Sequence, residues 1–221
     1  ATVSDTAKRL ATSETRAELA GSALEDAEAV AADVEDLDVV ASRLDRYRST
    51  LDSVTARVRR LGRTLRSVSV PDDDPDDLYG AVADLREVAL GAQQTQQRAD
   101  RLQMDLDDFE AWLRDPERRR RAFAEDVDVV AGALDAVAAA DAHVDAEAWL
   151  NDVLRAELLS LLVADLRTEL AELRTMAERD GVGDAFDGEF ERRLSRIESR
   201  ARETRDTLAA AADPPWRNAH H

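Results

Sequence analysis

The sequence contains no cysteine, which excludes disulfide bonds and thiolate metal sites within the chain. Its eight glycines are too sparse for a phosphate-binding loop or a dinucleotide fingerprint. His143 stands alone, His220 and His221 end the chain, and no Glu-x-x-His spacing exists that could build a di-iron site in a helical bundle. We therefore expect no metal, no cofactor, no small-molecule ligand and no catalytic residues, so the protein should not be an enzyme.

Long apolar runs are also missing. No stretch reaches the roughly 18 apolar residues that a membrane-spanning helix needs, and the opening "ATVSDTAKRL" lacks the apolar core of a secretory signal. We expect a cytoplasmic protein that does not bind membranes.

Aromatic residues make up only 4% of the chain, and Lys8 is its only lysine, whereas acidic residues outnumber basic ones by 48 to 30. The net charge of -18 favours solubility, but its self-repulsion destabilises a compact state unless molar salt shortens the Debye length to about 3 Å. This composition is typical of a halophilic protein. A disordered acidic chain is the alternative, and the periodicity below argues against it.

Apolar residues recur at alternating steps of four and three, the a and d spacing of a coiled-coil seam. The longest such run is Val40, Leu44, Tyr47, Leu51, Val54, Val58, Leu61, Leu65 and Val68, and a second run extends from Phe190 to Ala211. No strand-like alternation competes with them. The sequence therefore predicts an all-α protein, an elongated antiparallel multi-helix bundle with coiled-coil-like seams.

Capping residues divide this pattern into helices. Asp74 with Pro75, and Asp115 with Pro116, have the N-cap and first-turn residues of helix starts, and Asp145 and Asp184 are further candidate caps. Residues 33 to 40 suit either a turn or a continuous helix, and we favour the turn. We expect helices at about 4–34, 36–69, 75–114, 116–140, 145–180 and 184–212, forming one domain over residues 1–213 with a tail at 214–221.

The segment "ELLSLLVADL", residues 157–166, is apolar nearly all round. It should be the most buried part of the bundle, or else a helix that binds a partner or a second copy of the chain. The candidate partner-binding residues are Leu158, Leu159, Leu162, Val163 and Leu166.

Four consecutive arginines, Arg118, Arg119, Arg120 and Arg121, follow the predicted helix start at Asp115. Consecutive helical residues fan out around the axis, so the four side chains should reach several neighbours rather than form one flat surface. We expect them to pair with carboxylates of the chain or of a partner, the loop Asp72–Asp77 being one candidate, with an effect on stability that disappears at molar salt. Nucleic acid is not expected, because a chain of charge -18 repels phosphates.

Several stretches resemble haloarchaeal proteins commonly labelled halo transducer proteins. They are "DLDVVASRLDR" at 36–46, "DDPDDLYGAVADLREV" at 73–88, "FEAWLRDPERR" at 109–119, "LLVADLRTELAELR" at 161–174 and "PPW" at 214–216. The resemblance implies a halophilic archaeal lineage, a helical fold and a cytoplasmic location, and it assigns no site residues.

Two functions follow from these patterns. The first is a non-enzymatic structural or protein-interaction bundle, which engages another protein or its own copy. The alternative is a cytoplasmic signalling adaptor, a transducer-associated coiled-coil module.

Overall fold

The computed structural model describes residues 2–68, 75–139, 146–186 and 188–211, without the side chains of residues 75–78, 184 and 211. Within these ranges the chain forms six α-helices, one short 3-10 helix and no strand, so the predicted all-α class is confirmed. The helices are α1 (Val3–Ala31), α2 (Asp38–Ser67), α3 (Pro75–Arg114), α4 (Pro116–Ala138), α5 (Ala146–Arg179) and α6 (Gly188–Ala211), with the 3-10 helix at Gly183–Phe186 before α6. No helix among the described residues has an apolar stretch long enough to cross a bilayer.

Contacts divide the chain into two compact units, residues 1–114 and 115–221. In the N-terminal unit, α1 and α2 run antiparallel, because Arg48 of α2 lies 2.7 Å from Glu28, near the end of α1. The α2 and α3 helices are also antiparallel, and the Tyr47 and Phe109 rings meet at 5.4 Å. The result is a three-helix bundle in which α1 and α3 are parallel. A single domain over residues 1–213 and an elongated shape stay predictions.

The C-terminal unit is also a three-helix bundle. Its α5 and α6 run antiparallel, since Trp149 at the start of α5 donates a hydrogen bond of 2.9 Å to the Leu208 carbonyl near the end of α6. The first turn of α4 lies near the start of α6, where the Arg120 guanidinium sits 5.6 Å from the Phe190 ring centre. Helices α4 and α6 are therefore parallel and α5 is antiparallel to both.

Each bundle has a narrow core. The buried face of α1 repeats at steps of four and three and consists largely of small side chains: Thr6, Leu10, Ser13, Ala17, Ala20, Leu24, Ala27 and Ala31. Small side chains let helix backbones approach closely but bury little apolar area each. In the C-terminal unit the Phe123 ring packs edge-on against Phe186 and Phe190, at 6.3 and 5.1 Å.

Most predicted helix boundaries agree with the structure to within a few residues. Residues 32–37 form the expected turn between α1 and α2. Asp115 caps α4, where its carboxylate accepts hydrogen bonds from the Glu117 and Arg118 amides at 2.9 and 3.2 Å. The candidate caps Asp74 and Asp145 lie outside the described residues.

The predicted start of the last helix at Asp184 is wrong. Residues Gly183–Phe186 form a separate 3-10 turn, and α6 begins only at Gly188. This turn buries the Phe186 ring in the core, and Arg174 of α5 donates a hydrogen bond of 3.0 Å to the Phe186 carbonyl. The extra burial explains why the helix starts later than the capping pattern indicates.

Candidate functional site

Three of the four arginines at the start of α4 have clearly different environments. Arg119 is fully buried and forms an ion pair with Asp180, whose side chain is 41% exposed. Arg120 lies over the Phe190 ring, while Arg121 is exposed and its Nε donates to the Glu117 carbonyl at 3.4 Å. Arg119, Arg120 and Arg121 therefore reach different neighbours, and the pairing of the whole cluster stays a prediction. The predicted partner loop Asp72–Asp77 lies outside the described side chains, and sequence reasoning missed Asp180.

The end of α5 fixes the position of Asp180. Gly181 adopts a left-handed backbone (φ 75°), and its amide donates to the Glu178 carbonyl while the Val182 amide donates to the Ala177 carbonyl. These two bonds form the Schellman motif that ends many helices, and glycine suits its left-handed position. Asp180 is the residue just before this turn, so the helix end holds its carboxylate beside Arg119.

The apolar segment 157–166 is only half buried, so the expectation that it lies in the centre of a bundle is wrong. Leu159, Val163 and Leu166 pack in the core of the C-terminal unit. Leu158 is 55% exposed and Leu162 is 37% exposed. A three-helix bundle covers about one side of each helix, so the opposite side of an all-round apolar helix stays in solvent. Of the candidate partner-binding residues, only these two exposed leucines can reach a partner.

Two more leucines extend this surface. Leu154 and Leu161 are 58% and 64% exposed, and together with Leu158 they follow helical spacing along the outer face of α5. We call Leu154, Leu158, Leu161 and Leu162 the leucine ridge. Sequence reasoning missed Leu154 and Leu161, although the run of leucines at steps of four and three was visible.

The neighbouring helix carries a flatter apolar surface. On α4, Val129 is 70% exposed, and Gly132, Ala133 and Ala136 are exposed beside it. We call these four residues the small-residue strip. The two surfaces border one groove of about 490 Å³, lined by Ala133, Ala136, Val137, Asp152, Arg155, Leu158, Leu159 and Leu162.

Charged side chains near the groove are tied to one another or to α6. Asp152, at the base of the groove, pairs with Arg155 at 3.3 Å. Glu157 follows Leu154 by three residues and precedes Leu161 by four, so it lies beside them on α5, and its carboxylate is 3.4 Å from Arg205 of α6. The leucine ridge therefore presents apolar groups to solvent, with the paired charges of Arg155 and Glu157 beside them.

Among the described residues, no group of three or more histidine, aspartate or glutamate side chains is arranged to hold a metal ion. In the N-terminal unit, burial is the main cause that raises the pKa of Tyr47 above its ordinary value. The carboxylates of Asp105 and Asp108 also raise this pKa, and the guanidinium groups of Arg43 and Arg46 lower it. The half-buried Tyr47 ring packs against the Phe109 ring, and this packing accounts for the burial.

Comparisons with protein-family models, with curated proteins and with solved structures give no significant match. The functional interpretation therefore rests on the residues and geometry of this chain.

Proposed function

We propose that this protein is a non-enzymatic helical interaction module that pairs with a second copy of itself through the groove between α4 and α5. The observation that carries the proposal is the leucine ridge beside the small-residue strip on one face of the C-terminal unit. Large exposed apolar patches on soluble proteins usually mark interaction sites.

The shape of this face favours a second copy as the occupant. A two-fold axis parallel to the helices places the ridge of one copy over the strip of the other, because α5 and α4 exchange sides. Leu158 and Leu162 then lie above Ala133 and Ala136, which border the same groove at the same height. Each copy supplies both halves of the contact, as a two-fold interface requires.

The size of the face is also adequate. Four leucines and one valine, each more than a third exposed, together with the small residues, present on the order of 500 Å² of apolar surface per copy, within the usual size of a functional patch. With a polar rim, two copies would bury about 1,000 Å² or more, the lower limit for a specific interface. We therefore expect a dimer of moderate affinity.

We further infer that the protein belongs to the cytoplasm of a halophilic archaeon. The acid excess, the nearly complete replacement of lysine by arginine and the resemblance to haloarchaeal proteins support this inference. Acidic self-repulsion between two copies is screened in molar salt, so the apolar contact should operate there. We also propose that the apolar residues at a and d spacing pack between the helices of each unit as they do in coiled coils.

Light scattering coupled to size exclusion tests the dimer. In 2 M potassium chloride we expect a mass near twice 24.4 kDa, which falls toward the monomer on dilution. Replacing Leu158 and Leu161 with glutamine should give a monomer with unchanged helical content. Glutamine keeps the helix propensity close to that of leucine, so a change in mass would report on the contact rather than on folding.

A matched control is available in the other unit. Leu90 and Met104 are 62% and 67% exposed, and replacing both with glutamine removes similar apolar area from α3. This control should remain dimeric. A monomeric parent at about 100 µM in molar salt, or equal effects of both double variants, would contradict the proposal.

Disulfide trapping tests the geometry, because the natural chain has no cysteine. A chain with Leu158→Cys is mixed with a chain carrying Ala136→Cys and then oxidised. The proposed two-fold axis predicts more mixed disulfide than Leu158→Cys homodimer. An excess of the Leu158→Cys homodimer over the mixed disulfide would show that the leucine ridges of the two copies face each other, and it would refute this arrangement.

A further inference from the structure

The second half of α2 is unusually basic for an acidic protein. Residues 53–67 contain five arginines and no acidic residue: Arg57, Arg59, Arg60, Arg63 and Arg66. In a chain with 48 acidic residues, such a stretch concentrates positive charge on one part of the N-terminal unit.

Two of these arginines join a third across a groove between α2 and α3. Arg57 and Arg60 project from α2, one helical turn apart, and Arg98 faces them from α3. The groove has a volume of about 340 Å³, and its other lining residues are Ser53, Val54, Ala56, Gln94 and Thr95. No carboxylate lines it.

These three arginines are not neutralised by the described part of the chain. None of them forms an ion pair with a described carboxylate, whereas Arg16 and Arg48 of the same unit pair with Asp100 and Glu28 at 3.3 and 2.7 Å. Three guanidinium groups around one groove repel one another, and an anion between them would relieve that repulsion.

Close packing of the two helices fixes this arrangement. A Cβ atom at Gly91 would lie 2.7 Å from the Leu61 side chain and 3.3 Å from a guanidinium nitrogen of Arg57, so the glycine permits α2 to approach α3. One turn further along α3, the buried Thr95 hydroxyl donates to the Gly91 carbonyl at 2.7 Å. The wall of the groove beside Arg57 is therefore closely packed.

We propose that this groove binds a small phosphate anion with several negative charges. Arginine matches phosphate oxygens with two parallel hydrogen bonds, and the exposed Gln94 amide adds another donor. The volume is that of a small-ligand site rather than a macromolecular surface. The exposed Ala56, beside the buried Val54, adds apolar surface for any organic part of the ligand. This proposal differs from the expectation, based on the sequence, that the protein binds no small molecule. The sequence does not show the groove, because Arg98 comes to lie opposite Arg57 only when α2 packs against α3.

Isothermal titration calorimetry with inorganic tripolyphosphate tests the site, with adenosine triphosphate in a parallel titration. In 0.1 M potassium chloride we expect the parent protein to bind tripolyphosphate at one site per chain, and binding should weaken in 2 M salt. If adenosine triphosphate binds more tightly than tripolyphosphate, the apolar residues of the groove contact its base and sugar. If the two affinities are equal, the groove recognises the phosphates alone. Either result supports the phosphate site.

A matched pair of double variants distinguishes specific binding in the groove from non-specific electrostatic attraction of the anion to the basic helix α2. Arg57→Gln with Arg60→Gln should weaken tripolyphosphate binding at least about tenfold, as should Arg98→Gln on the opposite helix. Arg59→Gln with Arg63→Gln changes the net charge equally on the same helix but outside the groove, so we expect less than about a threefold change. Circular dichroism checks that every variant keeps its helices.

Two outcomes would overturn the proposal. One is the absence of binding by the parent at 1 mM tripolyphosphate in 0.1 M salt, where its circular dichroism shows the same helical content as in 2 M salt. The other is an equal loss of affinity in the two double variants, which would show that only the overall charge matters. Neither readout depends on dimer formation through the leucine ridge, so this proposal and the proposed function fail separately.

Discussion

Replacing Arg119 with glutamine should destabilise the C-terminal unit substantially. Its guanidinium is fully buried and paired with Asp180, and removing one member of a fully buried pair costs about 3 to 5 kcal/mol. Asp180 is 41% exposed, so water can solvate the carboxylate that is left, and the cost should lie near the lower end of that range. For a unit of about 100 residues, roughly 3 kcal/mol lowers the melting temperature by about 10 °C or more.

Thermal unfolding followed by circular dichroism measures this effect, with Arg121→Gln as the control. Arg121 is exposed, so its replacement should change stability by less than about 0.5 kcal/mol. Because Arg119 is shielded from solvent, its effect should persist in 2 M potassium chloride, unlike the salt-sensitive effect expected from the sequence for the whole cluster. If both variants melt within about 2 °C of each other at low and high salt, the buried ion pair does not stabilise the fold.

Three further predictions concern packing, titration and salt. Gly91→Ala should destabilise the N-terminal unit by about 1 to 3 kcal/mol through overpacking. On the same helix, Gly80→Ala places its methyl where no neighbouring side chain lies within 4 Å, so it should stabilise α3 by up to about 1 kcal/mol in thermal melts; the opposite order would refute the close approach of α2 to α3. The raised pKa of Tyr47 means that its contribution to stability is complete below about pH 10 and is lost as the pH rises through its folded-state pKa. Absorbance at 295 nm in a Tyr79→Phe variant should therefore show a midpoint above that of the same variant in urea, and coincident midpoints would contradict the shift. The melting temperature of the parent should rise from low to molar potassium chloride, and equal stability at both would count against halophilic adaptation.

The sequence predicts the helices well because their signals are local. Asp115 and Pro116 mark the start of α4, and the alternating apolar steps in α2 identify its buried face. These features depend on neighbouring residues along one helix. Tertiary packing changes them little.

Burial and pairing were harder to predict because they depend on which helices meet and at what height. The sequence shows that residues 157–166 are apolar all round, but only the three-helix arrangement decides that Leu158 lies outside and Leu159 inside. Similarly, Arg119 and Asp180 are 61 residues apart, and their contact requires both the antiparallel packing of α4 with α5 and the glycine turn that ends α5. The arginine groove depends on the register of α2 against α3 in the same way.

The alanine-rich buried face of α1 also affects how stability varies with temperature. Alanine exposes less apolar surface on unfolding than leucine or phenylalanine, and apolar exposure is the main source of the heat-capacity increase. The N-terminal unit should therefore unfold with a smaller heat-capacity change than the average of about 12 to 15 cal/mol/K per residue. A smaller change flattens the curve of free energy against temperature, so this unit should lose little stability on cooling.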